Sequence, residues 1–170
     1  MKNTTLCYIE QNNNYLMMLR NKKKHDLNQN KWIGVGGKFE EGESPEDCLI
    51  RETYEETGLT LTGFKLRGIV TFISDEWGCE YMHLFTADKF EGELIEVTDS
   101  EGAGCDNKYG PAYVCNEGEL HWISKSEVMG LNMWEGDRAF FDLIFNDSPF
   151  FTMKLTYAGD ELTDISTYVY

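Results

Sequence analysis

Between Ser44 and Gly58 every local signal agrees on one helix, and that helix constrains the rest of the chain. Ser44 suits the N-cap, Pro45 the first helical position, and Glu46 and Asp47 the positive end of the helix dipole. Asp47 follows Ser44 by three residues, a shortened form of the reciprocal capping box. Gly58 is free to take the left-handed conformation that ends a helix. This punctuation predicts a helix from about Pro45 to Thr57, with Cys48, Leu49, Ile50 and Tyr54 as its core-facing stripe. On the same helix Glu52, Glu55 and Glu56 stand at i, i+3 and i+4, which brings three carboxylates to one face. Like charges at that spacing cost a helix roughly 0.2–0.5 kcal/mol per pair, so the pattern is poor design for stability alone.

A hard divalent cation reverses the sign of that cost. Mg²⁺ and Mn²⁺ take oxygen ligands, and Mg²⁺ sites combine a few carboxylates with water and substrate phosphate. Glu43 precedes the helix, where Arg51 can reach back to pair with it. A run of charge ordinarily forms a solvated face. Here two glycines, a loop acid and an arginine surround the triad at set positions, which favours a site for metal and phosphate.

Gly37 to Leu59 reads GKFEEGESPEDCLIRETYEETGL. It matches the Nudix box, G-x5-E-x7-R-E-U-x-E-E-x-G-U, at Gly37, Glu43, Arg51, Glu52, Glu55, Glu56 and Gly58, where U is a bulky aliphatic residue. Thr53 departs from the pattern by standing where an aliphatic is usual; it should face the core, so the departure bears on packing. The chain therefore resembles the Nudix hydrolases, which cleave nucleoside diphosphates linked to another moiety. The resemblance implies an α/β fold: an α/β/α sandwich with a mixed sheet between helices. It implies metal-assisted attack of water on a pyrophosphate, with Mg²⁺ as cofactor and Mn²⁺ as the alternative. Glu52 and Glu56 become the expected direct metal ligands, Glu55 the group that orients or deprotonates the attacking water, and the Gly36 carbonyl a further ligand. Arg51 and Glu43 complete the catalytic set. Glu117, just before a predicted strand, is the candidate for the extra loop acid seen in the family, against its reading as an ordinary turn residue.

The remainder of the chain fits one domain. A length of 170 residues suits a single core, expected to span 1–170 with the box at 37–59. The net charge of −15 argues against a general footprint for nucleic-acid polymers, which calls for a basic stripe. It does not exclude a small-molecule nucleotide, because a metal supplies local positive charge. Lys22-Lys23-Lys24 is either a solvated loop or a mouth that attracts triphosphate. Five cysteines are scattered without a C-x-x-C pair, and His25, His83 and His121 lack ligand spacing. Cys105 and Cys115 could bridge, although free thiols are the simpler reading. The N-terminus lacks an apolar signal core and nothing approaches a membrane span, so a cytoplasmic chain with no membrane partner is expected, as a monomer or homodimer.

Thr5 to Gln11 and Tyr15 to Arg20 read as strands around a turn at Asn12 to Asn14. A Gly-rich crossing at Lys31 to Phe39 leads into the helix. A hairpin of Phe64 to Ile73 and Glu80 to Thr86 turns near Asp75 to Gly78. Glu119 to Ser124 is a strand followed by a helical turn at Lys125 to Val128. Asp137 to Phe145 is a second helix with a wide apolar face, and Phe150 to Tyr157 and Asp164 to Tyr170 close the chain as strands. Strands mixed with two helices imply a sheet covered on both sides. Residues from about 98 to 113 read as an inserted surface loop.

A looser resemblance narrows the substrate. Trp32-Ile33-Gly34-Val35-Gly36-Gly37-Lys38 is similar to the W-x-G-x-G-G-K segment of the MutT-type branch that sanitises oxidised purine nucleotides. Glu117 to Trp122 is similar to the segment carrying the extra acid, and Met133-Trp134-Glu135-Gly136-Asp137 to a Met-Trp-Pro-Asp-Asp segment. In the mammalian member that tryptophan stacks on the base and the aspartates read its edge. The likeness implies an 8-oxo-dGTP-type diphosphatase with Lys23, Ile33, Gly37, Lys38, Trp134, Glu135 and Asp137 around the substrate. For Trp134 a core role capping the second helix stays open. Two departures stand out: Ile33 replaces a base-binding asparagine and Gly136 the first aspartate, with Glu135 as a candidate to compensate. The rivals are another Nudix pyrophosphatase acting on ADP-ribose, a nucleotide sugar or dNTPs generally, and a non-catalytic nucleotide sensor. A sensor would be expected to have lost box acids, and here all are present.

Overall fold

A computed structural model of the chain describes residues 1–97 and 107–170. Strands β1 (Lys2–Gln11) and β2 (Asn14–Leu19) form a hairpin. Its turn places Asn12 and Asn13 at φ 51° and 63°, the left-handed region that asparagine tolerates. After the short β3 (Trp32–Ile33) comes α1 (Pro45–Thr57), then the long hairpin of β4 (Thr60–Ser74) and β5 (Gly78–Glu91). Beyond the described gap lie β6 (Tyr113–Val114), β7 (Glu119–Ser124), α2 (Lys125–Val128), α3 (Glu135–Phe145), β8 (Phe151–Ala158) and β9 (Glu161–Val169).

These strands make one mixed sheet in the order β6-β7-β2-β1-β5-β4-β8-β9, with β3 on β2. The β1·β5 and β4·β8 pairs are parallel and the rest antiparallel. Along β1 and β2 alternate residues enter opposite apolar clusters. Tyr8, Tyr15 and Met17 pack with Phe140, Phe141 and Ile144 of α3, whereas Cys7, Ile9, Leu16 and Met18 pack with Leu49 of α1. A sheet buried on both faces explains why these strands read as continuous apolar runs. The expected α/β/α layering is present.

On α1 both halves of the capping box form: the Ser44 hydroxyl accepts from Asp47 N–H at 3.1 Å and Asp47 accepts from Ser44 N–H at 3.0 Å. Gly58 ends the helix at φ 75°. The expected apolar stripe needs correction. Cys48, Leu49, Thr53 and Thr57 are buried, but Ile50 and Tyr54 are 37% and 60% exposed. Leu49, Thr53 and Thr57 follow one another at four-residue intervals on the sheet-facing side, and Ile50 and Tyr54 each lie one residue further round. Thr53 does face the core, and its hydroxyl finds no hydrogen-bond partner among the described residues.

β4 also departs from simple alternation. Phe64 and Leu66 pack on the α1 side, but Val70 and Phe72 pack on the α3 side. The ladder with β5 shifts between Leu66 and Gly68, leaving Arg67 as an extra residue, and a bulge of one residue exchanges the two faces. Of the predicted loop at 98–113, residues 98–106, including Cys105, lie outside the described residues. Its end is structured: Asn107–Tyr109 forms a 3-10 turn and Tyr113 belongs to β6, bridged to Glu96. Cys115 is a buried free thiol.

Candidate active site

The segment from Gly34 to Lys38 runs beside β1, tied by hydrogen bonds from Thr5 N–H to Gly37 O at 2.8 Å and Cys7 N–H to Val35 O at 2.7 Å. Gly36 permits this approach: it has φ 147°, and a Cβ there would lie 2.2 Å from the Thr5 carbonyl oxygen. The other side of the segment meets α1. Gly36 N–H donates to Glu56 Oε2 at 2.8 Å. At Gly37 a Cβ would lie 2.3 Å from the Glu52 carboxyl carbon, so the missing side chain is the space that Glu52 occupies.

Two carboxylates one helical turn apart thus converge on one stretch of backbone. Burial pushes the Glu56 carboxyl up to about 8; the Gly36 hydrogen bond opposes this and the neighbouring Glu52 charge adds to it. Arg51 organises the rim. Its Nε and Nη2 donate to the two Glu43 oxygens at 2.6 and 2.9 Å, Nη1 donates to Glu52 at 2.8 Å, and Nη2 also reaches Lys38 O at 3.0 Å. The guanidinium holds Glu43 down at about 2, helped by Glu40 N–H. Glu55 fans outward instead, 57% exposed and 3.3 Å from Arg51. Its position at i−1 from Glu56 turns it about 100° away from the buried side.

Glu52, Gly36 and Gly37 line a cleft of about 540 Å³. On one wall Glu117 pairs with Arg20 and Lys23, and Arg20 also binds Asp26 at 2.6 Å. The other wall carries Ile33, Phe72, Trp134 and Asp137. A separate cavity of about 620 Å³, lined by Tyr15, Arg67 and Phe145, contains no box residue. Among the described residues no three Asp, Glu, His or Cys side chains converge into a ready-made cation cage. The donor chemistry nevertheless fits a hard cation. Glu56 is a buried carboxylate whose donor among the described residues is one backbone N–H, that of Gly36, and Glu52 sits against the neighbouring Gly37. Glu55 and Glu117 are oxygen donors now held by arginine and lysine.

Trp134 is a core residue that also reaches the cleft. It is buried, with its ring edge-on to Tyr157 at 4.9 Å, yet it lines the cleft. Lys31 Nζ lies 4.3 Å from its ring centroid. Asp137 is fully buried beside it, and burial pushes its carboxyl up to about 7 against the opposing charge of Arg138. Lys23, Ile33, Gly37 and Lys38 also line the cleft. Glu135 is not brought there: it is 68% exposed and pairs with Arg138 at 3.3 Å, so it does not take over for Gly136. Gly136 itself is explained by packing. A Cβ would stand 2.5 Å from Leu155 Cδ1 and 2.8 Å from the Tyr157 hydroxyl, which accepts from Gly136 N–H at 2.7 Å.

Among the residues the sequence did not single out, Arg20 and Asn28 line the cleft and Tyr157 packs against Trp134 and Gly136. Asn28 carried a local signal, since Asp26-x-Asn28 forms an Asx turn in which Asp26 Oδ1 accepts from Asn28 N–H at 3.1 Å. Tyr157 carried none, because its contacts are made across 21 residues.

Residues 2–143 match the NUDIX domain family. The chain is 31% identical over 136 residues to YvcI of Bacillus subtilis, an uncharacterized Nudix hydrolase, covering 76% of this chain and 73% of that protein. It is 28% identical over 130 residues to the oxidized purine nucleoside triphosphate hydrolase of Mus musculus, covering 75% of this chain and 71% of that one. Among solved structures it is similar to a mutator MutT protein of Bacillus halodurans, with a TM-score of 0.78 and 26% identity over 98% of this chain and 97% of that one.

Proposed function

Because this chain belongs to the Nudix family, we propose that it hydrolyses a nucleoside triphosphate to the monophosphate and pyrophosphate, with an oxidised purine nucleotide such as 8-oxo-dGTP as the preferred substrate. The observation that carries this reading is the composition of one cleft. Glu52 lines it against Gly37, next to Gly36 whose N–H binds Glu56, and Trp134 and Asp137 line the same cleft. The similarity to oxidized purine nucleoside triphosphate hydrolases of Mus musculus and Danio rerio supports the substrate class.

In this proposal Glu52, Glu56 and the Gly36 carbonyl would hold Mg²⁺, and Glu55 and Glu117 would join them. When bound, the metal neutralises phosphate charge and makes water a better nucleophile. The chain does the rest. Arg51 fixes Glu52 and ties it to Glu43 and the Lys38 carbonyl, so this part of the cleft is pre-organised. Glu55, exposed at the rim, accepts the proton of the attacking water. Lys23, Lys38 and Arg20 face the polyphosphate from the walls. The Trp134 ring stacks on the base, and Asp137 meets its edge.

The test is product identity. Incubation of a purine triphosphate with enzyme and Mg²⁺, resolved by ion-exchange chromatography, should yield monophosphate and pyrophosphate only, and EDTA should stop the reaction. Release of diphosphate and inorganic phosphate, or cleavage of ADP-ribose without any triphosphate turnover, would contradict the proposal.

A further inference from the structure

The base-facing wall has lost two polar side chains relative to the resembling branch, at Ile33 and Gly136, and Glu135 points elsewhere. Asn28, bonded to Trp134, is a polar side chain outside the box and outside the family pattern. Asn28 lines the cleft, half-buried, and its Oδ1 accepts from Trp134 Nε1 at 2.8 Å. An indole N–H can only donate, so it decides which end of the carboxamide faces it. The oxygen must point at Trp134, and the NH₂ must point away. The Asn28 backbone is set as well, by the bond from its N–H to Asp26 Oδ1. Among the described residues no protein group accepts from the Asn28 amide nitrogen.

We infer that Asn28 is a specificity-determining residue: its carboxamide, locked in one orientation by Trp134, presents a donor to the base and selects a ring carbonyl over an exocyclic amino group. This rests on the cleft being the base site of the proposed function. Because Trp134 is donor-only, the selection has one sign. A carboxamide free to flip would accept an amino group as readily as it donates to a carbonyl. The ligand class is therefore a 6-oxopurine nucleotide in preference to a 6-aminopurine nucleotide. Trp134 acts twice in this arrangement, as a stacking surface and as the positioning residue for Asn28.

The experiment measures binding of the monophosphates dIMP and dAMP by isothermal titration calorimetry, which needs no turnover. These ligands differ at the 6-oxo or 6-amino edge. The wild type should bind dIMP roughly tenfold more tightly than dAMP, the scale of one directional hydrogen bond with a mismatched alternative. Asn28→Asp replaces the donor by an acceptor and should reverse the preference. Trp134→Phe keeps a ring but frees the carboxamide, and should bring the ratio to about one, with both ligands still bound. A dIMP-to-dAMP ratio unchanged in both variants overturns the inference, as does equal weakening of both ligands by Asn28→Asp, or a wild type that binds neither. Normal dIMP selection without pyrophosphate release from any triphosphate would refute the proposed reaction and leave the role of Asn28 standing.

Discussion

Gly36 and Gly37 are neighbours, and the structure assigns them opposite failures. At Gly36 a Cβ would collide with backbone, 2.2 Å from Thr5 O and 2.8 Å from Thr5 C, at φ 147°. Backbone strain of about 1–3 kcal/mol adds to an overpacking cost of about 1–3 kcal/mol, so Gly36→Ala should destabilise by roughly 3 kcal/mol or more. At Gly37 the three atoms nearest to the Cβ would all belong to the Glu52 carboxylate, at 2.3–2.5 Å, and that is the mobile end of a long side chain. Glu52 can swing away, losing its 2.8 Å bond to Arg51, which is worth about 1.5–3 kcal/mol as a charged pair. Removing glycine freedom from the unfolded chain returns about 0.4–1 kcal/mol. Gly37→Ala should therefore cost only about 1–2 kcal/mol in stability. It displaces the Glu52 carboxylate by the width of a methyl group, a misplacement that should lower kcat about a hundredfold. Urea denaturation and pyrophosphate release on the two variants separate these effects. A folded, near-normally active Gly37→Ala enzyme would refute the reasoning, because Glu52 would then not need its seat against the backbone. So would a Gly37→Ala protein as unstable as Gly36→Ala.

Glu56→Gln keeps the shape and the Gly36 hydrogen bond but removes the charge; turnover should fall by roughly a hundredfold or more with the circular dichroism spectrum intact, and near-normal turnover would remove Glu56 from the proposed metal ligands. Trp134→Ala should raise KM for the purine substrate roughly tenfold or more while leaving the metal concentration for half-maximal rate unchanged; general unfolding without a substrate effect would leave Trp134 a core residue only. Asp137, raised from an ordinary 3.8 to about 7, holds a proton in the folded chain that the unfolded chain has already released. Stability from this group is thus lost as pH rises from about 4 to 7, by up to about 1.4 kcal/mol per pH unit, and is flat above. Asp137→Asn should make the profile shallower in metal-free urea titrations at pH 5, 6 and 7, leaving the slope that the raised Glu56 carboxyl contributes by the same linkage, and an unchanged slope would show that Asp137 is ionised in the fold.

The extent of the box helix was legible from its sequence because its start and stop signals are local. A capping residue, a proline, a glycine stop and the spacing of its acids each act within one turn, and Pro45–Thr57 formed as expected. So did Glu119–Ser124 and Lys125–Val128. What depends on the partner surface was harder to read. Ile50 and Tyr54 are apolar yet outward, because α1 rests on the sheet through Leu49, Thr53 and Thr57. The bulge at Arg67 reverses which residues of β4 face α3; Gly68 beside it is its local mark, but a glycine within a strand does not say which faces exchange. At the site, the Glu43–Arg51 pairing followed from spacing and the outward turn of Glu55 from its place on the helix, whereas the hold of Arg20 and Lys23 on Glu117 is set by groups distant in the chain. Asn28 was hidden for the same reason, since its indole partner lies 106 residues away.

The most direct test of the proposed function is kcat/KM for Mg²⁺-dependent pyrophosphate release across 8-oxo-dGTP, 2-oxo-dATP, the four ordinary dNTPs and ADP-ribose. A clear preference for an oxidised purine triphosphate is the predicted result. A flat profile over the dNTPs, or turnover of ADP-ribose alone, would contradict the assignment of this cleft to oxidised purines.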